Sequence, residues 1–137
     1  MNIYNFVFCF FYNVWQKRTG DGRFSGILHV TVTIMMHLLL LAEIFWDFTG
    51  IRPFTLYSFG ASGINKTMYT ILLFPTLFIG YLFYTQKRTK ELLETYDKQP
   101  ITRSRRRLNI FLIVVLPISL VIGLSLIRQK IGWEHLF

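Results

Sequence analysis

The chain has 137 residues, enough for one domain, and 53% of them are hydrophobic while only 16% are charged. No stretch outside the apolar runs is long enough to form a separate soluble catalytic domain, which excludes enzymes of that kind. The net charge of +8 lies beside apolar segments, where anionic lipid headgroups explain it more simply than nucleic acid does. We therefore expect no nucleic-acid partner.

The first predicted element is a short helix at residues 1–16. Its polar side chains fall within roughly a third of the helix circumference, and aromatic side chains such as Phe6 and Phe8 cover much of the rest. We expect a short amphipathic helix in the membrane interface, with its aromatic side in the lipid. The alternative is a short fourth membrane element packed against the other helices. Cys9 is the single cysteine, so an internal disulfide is excluded.

Three apolar segments predict an all-α integral membrane protein with three transmembrane helices. The predicted spans are 24–46, 67–86 and 108–127. Each contains an uncharged apolar run of roughly 20 residues, which is the length an α-helix needs to cross a hydrocarbon core of about 30 Å. The bilayer is therefore the first expected partner.

The basic residues predict the orientation of the spans. Segment 87–107 is predicted to be a basic cytoplasmic loop, because it carries eight of the fifteen Lys and Arg residues. The positive-inside rule places this loop and the N-terminus in the cytoplasm, and the tail 128–137 outside. Four arginines that precede the third span are candidates for contact with anionic lipid headgroups: Arg103, Arg105, Arg106 and Arg107.

Polar side chains in the first span form a candidate intramembrane stripe, since they project within roughly 120° of one another. The stripe consists of His29, Thr33, His37, Glu43 and Asp47. One interpretation is a proton or cation path, because histidine titrates near neutral pH. The other is a set of hydrogen bonds to neighbouring helices. The two histidines lie about 12 Å apart along the helix, too far to share an ion, so we expect neither a metal site nor a cofactor.

Small residues and prolines indicate where the helices pack. Ser119 and Gly123 form a small-xxx-small step in the third span, and Gly80 is the small residue of the second. Such residues allow a neighbouring backbone to approach closely. Pro75 and Pro117 are each expected to free a backbone carbonyl and to kink their helix.

Three short motifs carry a resemblance to a known group of proteins. They are Ile3-Tyr-Asn-Phe, Phe11-Tyr-Asn and Arg23-Phe-Ser25. Together with an apolar helix after them and a basic loop after the second span, they resemble small multi-pass membrane proteins of unknown function from Bacteroidota. The resemblance implies a bacterial inner membrane and carries no activity.

No catalytic motif is recognisable, so the sequence predicts a non-enzymatic protein. We expect an accessory or interaction subunit of a larger membrane assembly, bound to a membrane protein partner or to itself. The alternative is a homo-oligomeric channel or small transporter whose path is lined by His29, Thr33 and His37.

Overall fold

The structure is a computed structural model that describes residues 1–49 and 63–131, and these residues form helices joined by short connections. The helices are α1 (Ile3–Thr19), α2 (Gly22–Thr49), α3 (Gly63–Phe83), α4 (Gln86–Asp97), α5 (Arg103–Ile110) and α6 (Leu116–Ile131). A π-helical segment, Phe111–Val115, joins α5 to α6 without a break. The predicted all-α class is thus confirmed. Residues 50–62, between the first two predicted spans, and most of the predicted outer tail lie outside the described residues.

Two described stretches are long and apolar enough to cross a membrane. They are Gly22–Ala42 and Arg103–Leu124, and they match the first and third predicted spans. Only 28% and 17% of these stretches are buried, whereas the core helix of a soluble protein is mostly buried. The second predicted span corresponds to α3, whose apolar stretch among the described side chains is the shorter Leu73–Phe83.

Helices α1 and α2 form an antiparallel hairpin. Gly20 ends α1 with φ of 77°, the left-handed conformation that glycine adopts without strain, and its N–H donates to the carbonyl of Gln16. The amide side chain of Gln16 then accepts a hydrogen bond from the backbone N–H of Gly22 at 2.9 Å. At the other end of α1, Tyr4 contacts His37 of α2. Helix α1 therefore runs alongside the first half of α2.

The middle of α1 is enclosed by protein. The four consecutive residues from Phe6 to Cys9 are all buried, and four residues make a full helical turn. The Phe8 ring stacks on Tyr84 at a centroid distance of 4.1 Å, and the Phe6 ring lies 5.4 Å from that of Tyr96 in α4. The prediction that the aromatic side of α1 faces lipid is therefore wrong for Phe6 and Phe8, which are covered by protein. Their environment matches the alternative, a short element packed against the other helices, because an apolar helix face has the same sequence pattern against lipid and against protein.

The predicted basic loop 87–107 is largely helical. Thr85 caps the start of α4, and Thr102 caps α5 by accepting from the backbone N–H of Arg105. The third long helix consequently begins at Arg103, five residues before the predicted start at position 108. Arginine is a good helix former, and the capping threonine allows the helix to extend into the charged segment.

Helix α2 is the central helix of the bundle. It contacts α1, α3 and α6, while α1 also contacts α4 and α5. The start of α2, the end of α3, α4 and the start of α5 therefore lie at one end of the bundle, and α1 extends from that end to the level of His37.

The enclosure of α1 predicts that the thiol of Cys9 is inert. Burial raises the pKa of Cys9 to about 12, and the nearby Asp97 carboxylate adds to the rise, so the thiol stays protonated at pH 7–9. Since the thiolate is the reactive form, we expect maleimide to label Cys9 in the detergent-solubilised protein at least ~100-fold more slowly than a free thiol, at every pH in that range.

The matched control is the double variant C9S/S104C, because Ser104 is exposed on α5. It should label at the rate of a free thiol. Equal rates for the two proteins would contradict the enclosure of α1, and full labelling of Cys9 after denaturation in SDS verifies that its thiol is intact.

Candidate functional site

His37 connects three helical elements inside the bundle. Its Nε2 lies 3.0 Å from the carbonyl oxygen of Ile113 in the π-helical segment, and its Nδ1 lies 3.1 Å from the hydroxyl of Tyr4 in α1. A carbonyl only accepts, so Nε2–H donates to Ile113. In the neutral ring Nδ1 is then the acceptor, and Tyr4 donates to it. The two bonds fix both the tautomer and the orientation of the imidazole.

Pro117 explains why Ile113 needs a partner from another helix. An α-helical residue at position 117 would donate its N–H to the carbonyl four residues earlier, which is that of Ile113, but proline has no N–H. The chain passes this point through the π-helical turn Phe111–Val115, in which Leu116 N–H donates to Phe111. The carbonyl that Pro117 was predicted to free is therefore that of Ile113, and His37 donates a hydrogen bond to it.

His29 and Thr33 are also bonded within the chain. Nδ1 of His29 donates to the carbonyl of Ser25 at 2.7 Å, and the ring stacks on Phe11 of α1 at a centroid distance of 3.8 Å. The hydroxyl of Thr33 donates to the carbonyl of His29 at 2.7 Å, and Thr33 is only 1% exposed. Both side chains belong to the packed interior.

The structure thus brings part of the predicted stripe into one arrangement. His29 and His37 contact α1, and His37 also reaches the π-helical segment. Glu43 and Asp47 belong to α2, but their side chains lie outside the described residues. The described side chains of the stripe hold helices together through hydrogen bonds and ring stacking.

The four predicted lipid-binding arginines are in two different environments. Arg106 is half-buried: its Nη2 donates to the carbonyls of Tyr96 at 2.9 Å and Gln99 at 3.4 Å, and its guanidinium carbon lies 4.2 Å from the centroid of the Tyr96 ring. Arg103, Arg105 and Arg107 are exposed. Arg106 therefore fixes the connection between α4 and α5 to the following helix.

A second structural arginine was missed by the sequence analysis. Arg23, at the start of α2, donates from Nε to the carbonyl of Tyr84 at 2.8 Å and from Nη2 to that of Tyr81 at 3.2 Å. Its guanidinium also lies 4.2 Å from the centroid of the Tyr81 ring. Basic side chains commonly satisfy the last carbonyls of a helix, but this one is about 60 residues from its acceptors in sequence, so spacing gave no signal.

Tyr84 was missed for a similar reason. It is 3% exposed, its ring stacks on Phe8, and its hydroxyl donates to the side-chain carbonyl of Asn5 at 3.1 Å. The predicted second span ran through this residue to position 86. In the structure α3 ends at Phe83, and Tyr84 turns inward to fasten that end to α1.

The residues predicted to lie at helix contacts fall into two groups. A Cβ at Gly80 would lie 2.9 Å from Cγ2 of Ile27, so α3 and α2 approach each other closely there. A Cβ at Gly123 would meet nothing within 4 Å among the described residues, and Ser119 is exposed. Gly80 is used inside the chain, whereas Ser119 and Gly123 lie on an open face of α6.

The described residues contain no group of three His, Cys, Asp or Glu side chains placed to hold a metal ion. A shallow open depression of about 500 Å³ on α4 is lined by Thr85, Lys87, Arg88, Glu91, Leu92 and Thr95. It is a feature of a charged surface helix.

Comparisons with known proteins find no matching family model, no matching curated protein and no matching solved structure. The resemblance to small Bacteroidota membrane proteins stays a prediction.

The pairing of Pro117 with His37 predicts a coupled effect on stability. His37→Ala leaves the carbonyl of Ile113 without its donor and should lower the free energy of unfolding by about 1–2 kcal/mol. In a Pro117→Ala background the restored backbone N–H can serve that carbonyl, so H37A should cost less. A double-mutant cycle from SDS unfolding measures the coupling, which we expect at about 0.5–1.5 kcal/mol. Additive effects of the two substitutions would contradict the assignment.

The two glycines predict opposite results for the same substitution. Gly80→Ala forces a methyl group against the buried side chain of Ile27 and should lower the free energy of unfolding by about 1–3 kcal/mol. Gly123→Ala should be neutral or stabilising by up to ~1 kcal/mol, because its Cβ meets open space and alanine is the better helix former. Thermal melts in one detergent compare the two, and a loss of stability in G123A as large as that in G80A would be inconsistent with the described packing.

Proposed function

We propose that this chain is a small multi-pass integral membrane protein that serves as a non-enzymatic accessory subunit of a larger membrane assembly. Its membrane character is supported by large apolar side chains that are more than half exposed on three helices, including Leu41, Phe78 and Ile122. Soluble proteins rarely expose contiguous apolar surface on this scale. Such apolar faces are suited to contact with lipid.

The observation that favours an accessory subunit over a channel is the internal use of the polar stripe. The alternative function requires copies of the chain to turn the face of His29, Thr33 and His37 towards a shared aqueous path. In the structure that face is covered by α1 and the π-helical segment, and the hydroxyl of Thr33 donates within α2. Exposing it to a path would require breaking the packing of each copy.

The orientation we propose has the N-terminus and the basic segment 87–107 in the cytoplasm and the C-terminus outside, in a bacterial inner membrane. It is supported by the bonds from Arg23, just after α1, to the carbonyls of Tyr81 and Tyr84, just before the basic segment. It is also supported by the number of basic residues in that segment. The resemblance to Bacteroidota proteins supports the choice of membrane.

The proposal predicts that the chain is extracted from native membranes with other proteins bound. We would measure the mass of the complex in mild detergent and identify its components. A defined complex with a second membrane protein is the expected result, and Gly123→Ile should release that protein if the partner helix packs on the open face of α6. G123A is the matched control, because it adds a much smaller side chain at the same position.

A pure oligomer of this chain would contradict the accessory function and favour the channel. The next measurement would then be ion flux from liposomes that contain the purified protein. A flux that disappears in Thr33→Val, which keeps the shape of the side chain and removes its hydroxyl, would assign the path to the stripe.

A further inference from the structure

The exposed face of α5 combines charged and apolar side chains in a fixed order along the helix axis. Arg103 and Arg107 are four residues apart and therefore lie on one side of the helix. Phe111 and Val115 continue the same line through the π-helical segment, and all four side chains are exposed. The two arginines lie about 6 Å apart along the axis, and the apolar part of the line extends about 12 Å further.

The exposed arginines have no partner among the described residues. The guanidinium groups of Arg103, Arg105 and Arg107 make no hydrogen bond or ion pair with any side chain that the structure describes. Segment 86–107 has eight basic side chains against three acidic ones, and the acidic three are all on α4. The positive charge at the start of α5 is therefore not neutralised within the described chain.

Arg106 differs from these three in its role. Its guanidinium is held by two backbone carbonyls and by the Tyr96 ring, so it is not free to bind a ligand. One of the four arginines thus positions α5 against α4, and the other three are exposed. Arg105 lies on the opposite side of the helix from Arg103 and Arg107.

We propose that Arg103 and Arg107 form a binding surface for the phosphate of an anionic phospholipid whose acyl chains lie along Phe111 and Val115. The order of charge followed by apolar side chains along the axis matches a lipid, in which a charged headgroup is followed by hydrocarbon. An acidic protein or a nucleic acid would complement the charge but not the exposed apolar continuation. The proposal rests on the membrane insertion of the proposed function.

The test is the lipid retained by the purified protein after reconstitution into nanodiscs of nine parts phosphatidylcholine and one part phosphatidylglycerol. Native mass spectrometry of the released protein gives the ratio of the two bound lipids. We expect the unmodified chain to be enriched in phosphatidylglycerol, and each arginine removed to reduce that enrichment by up to about fivefold. The variant R103Q/R107Q should therefore show no preference.

The matched control is K87Q/K90Q, which removes the same charge from exposed positions on α4. It should retain the phosphatidylglycerol preference. R106Q should also retain it, while its unfolding midpoint falls. An equal loss of preference in the lysine variant would overturn the proposal in favour of a diffuse electrostatic attraction, and an unchanged preference in the arginine variant would overturn it directly.

The same experiment separates this proposal from the proposed function. A chain that does not incorporate into nanodiscs at all contradicts membrane insertion, and with it both proposals. A chain that incorporates stably but without lipid preference contradicts the lipid surface alone. Binding of a polyglutamate peptide that depends on Arg103 and Arg107, without any lipid preference, would assign the surface to an acidic protein instead.

Discussion

The need to satisfy buried backbone carbonyls is the constraint on which this bundle depends. Pro117 leaves the carbonyl of Ile113 without its usual helical donor, and His37 supplies one from the central helix. The other ring nitrogen of His37 engages Tyr4, so the same imidazole sets the position of α1. A backbone defect in one helix thereby fixes three elements relative to one another, and both ring nitrogens of His37 are used within the chain.

At the charged end of the bundle, aromatic rings and arginines fix the positions of the helices relative to one another. Phe6 and Phe8 of α1 pack against Tyr96 and Tyr84, which lie in α4 and at the end of α3. Arg23 and Arg106 then bond to carbonyls of the same two segments. Guanidinium groups suit this position because they donate to several carbonyls at once and also lie against aromatic rings. The chain can therefore hold a short apolar helix and a highly charged helix in contact at the same end.

The sequence predicted the helical class, two of the long apolar helices and the carbonyl freed by Pro117, because each follows from local composition or from the chemistry of one residue. It did not predict that His37 is the donor, since the bonded groups are 76 residues apart. It also did not predict that Arg106 is half-buried while Arg103, Arg105 and Arg107 are exposed. That distinction depends on where α4 lies, and periodicity within one helix carries no information about a neighbouring one. The expectation that Phe6 and Phe8 of α1 face lipid failed for the same reason, since protein covers them.

The π-helical segment determines how the two halves of the third long helix are rotated relative to each other. A π turn contains one more residue than an α turn between bonded groups, so residues beyond Val115 are displaced by about 100° around the axis from a regular α-helix. The angle between the arginine line on α5 and the open Ser119–Gly123 face on α6 is therefore set by a residue count and not by any single side chain. A chain with one residue fewer between 111 and 115 would stay helical and equally apolar, yet would present a different face of α6 to its surroundings. Length variation at this point is a means by which evolution can redirect a recognition surface without altering its composition.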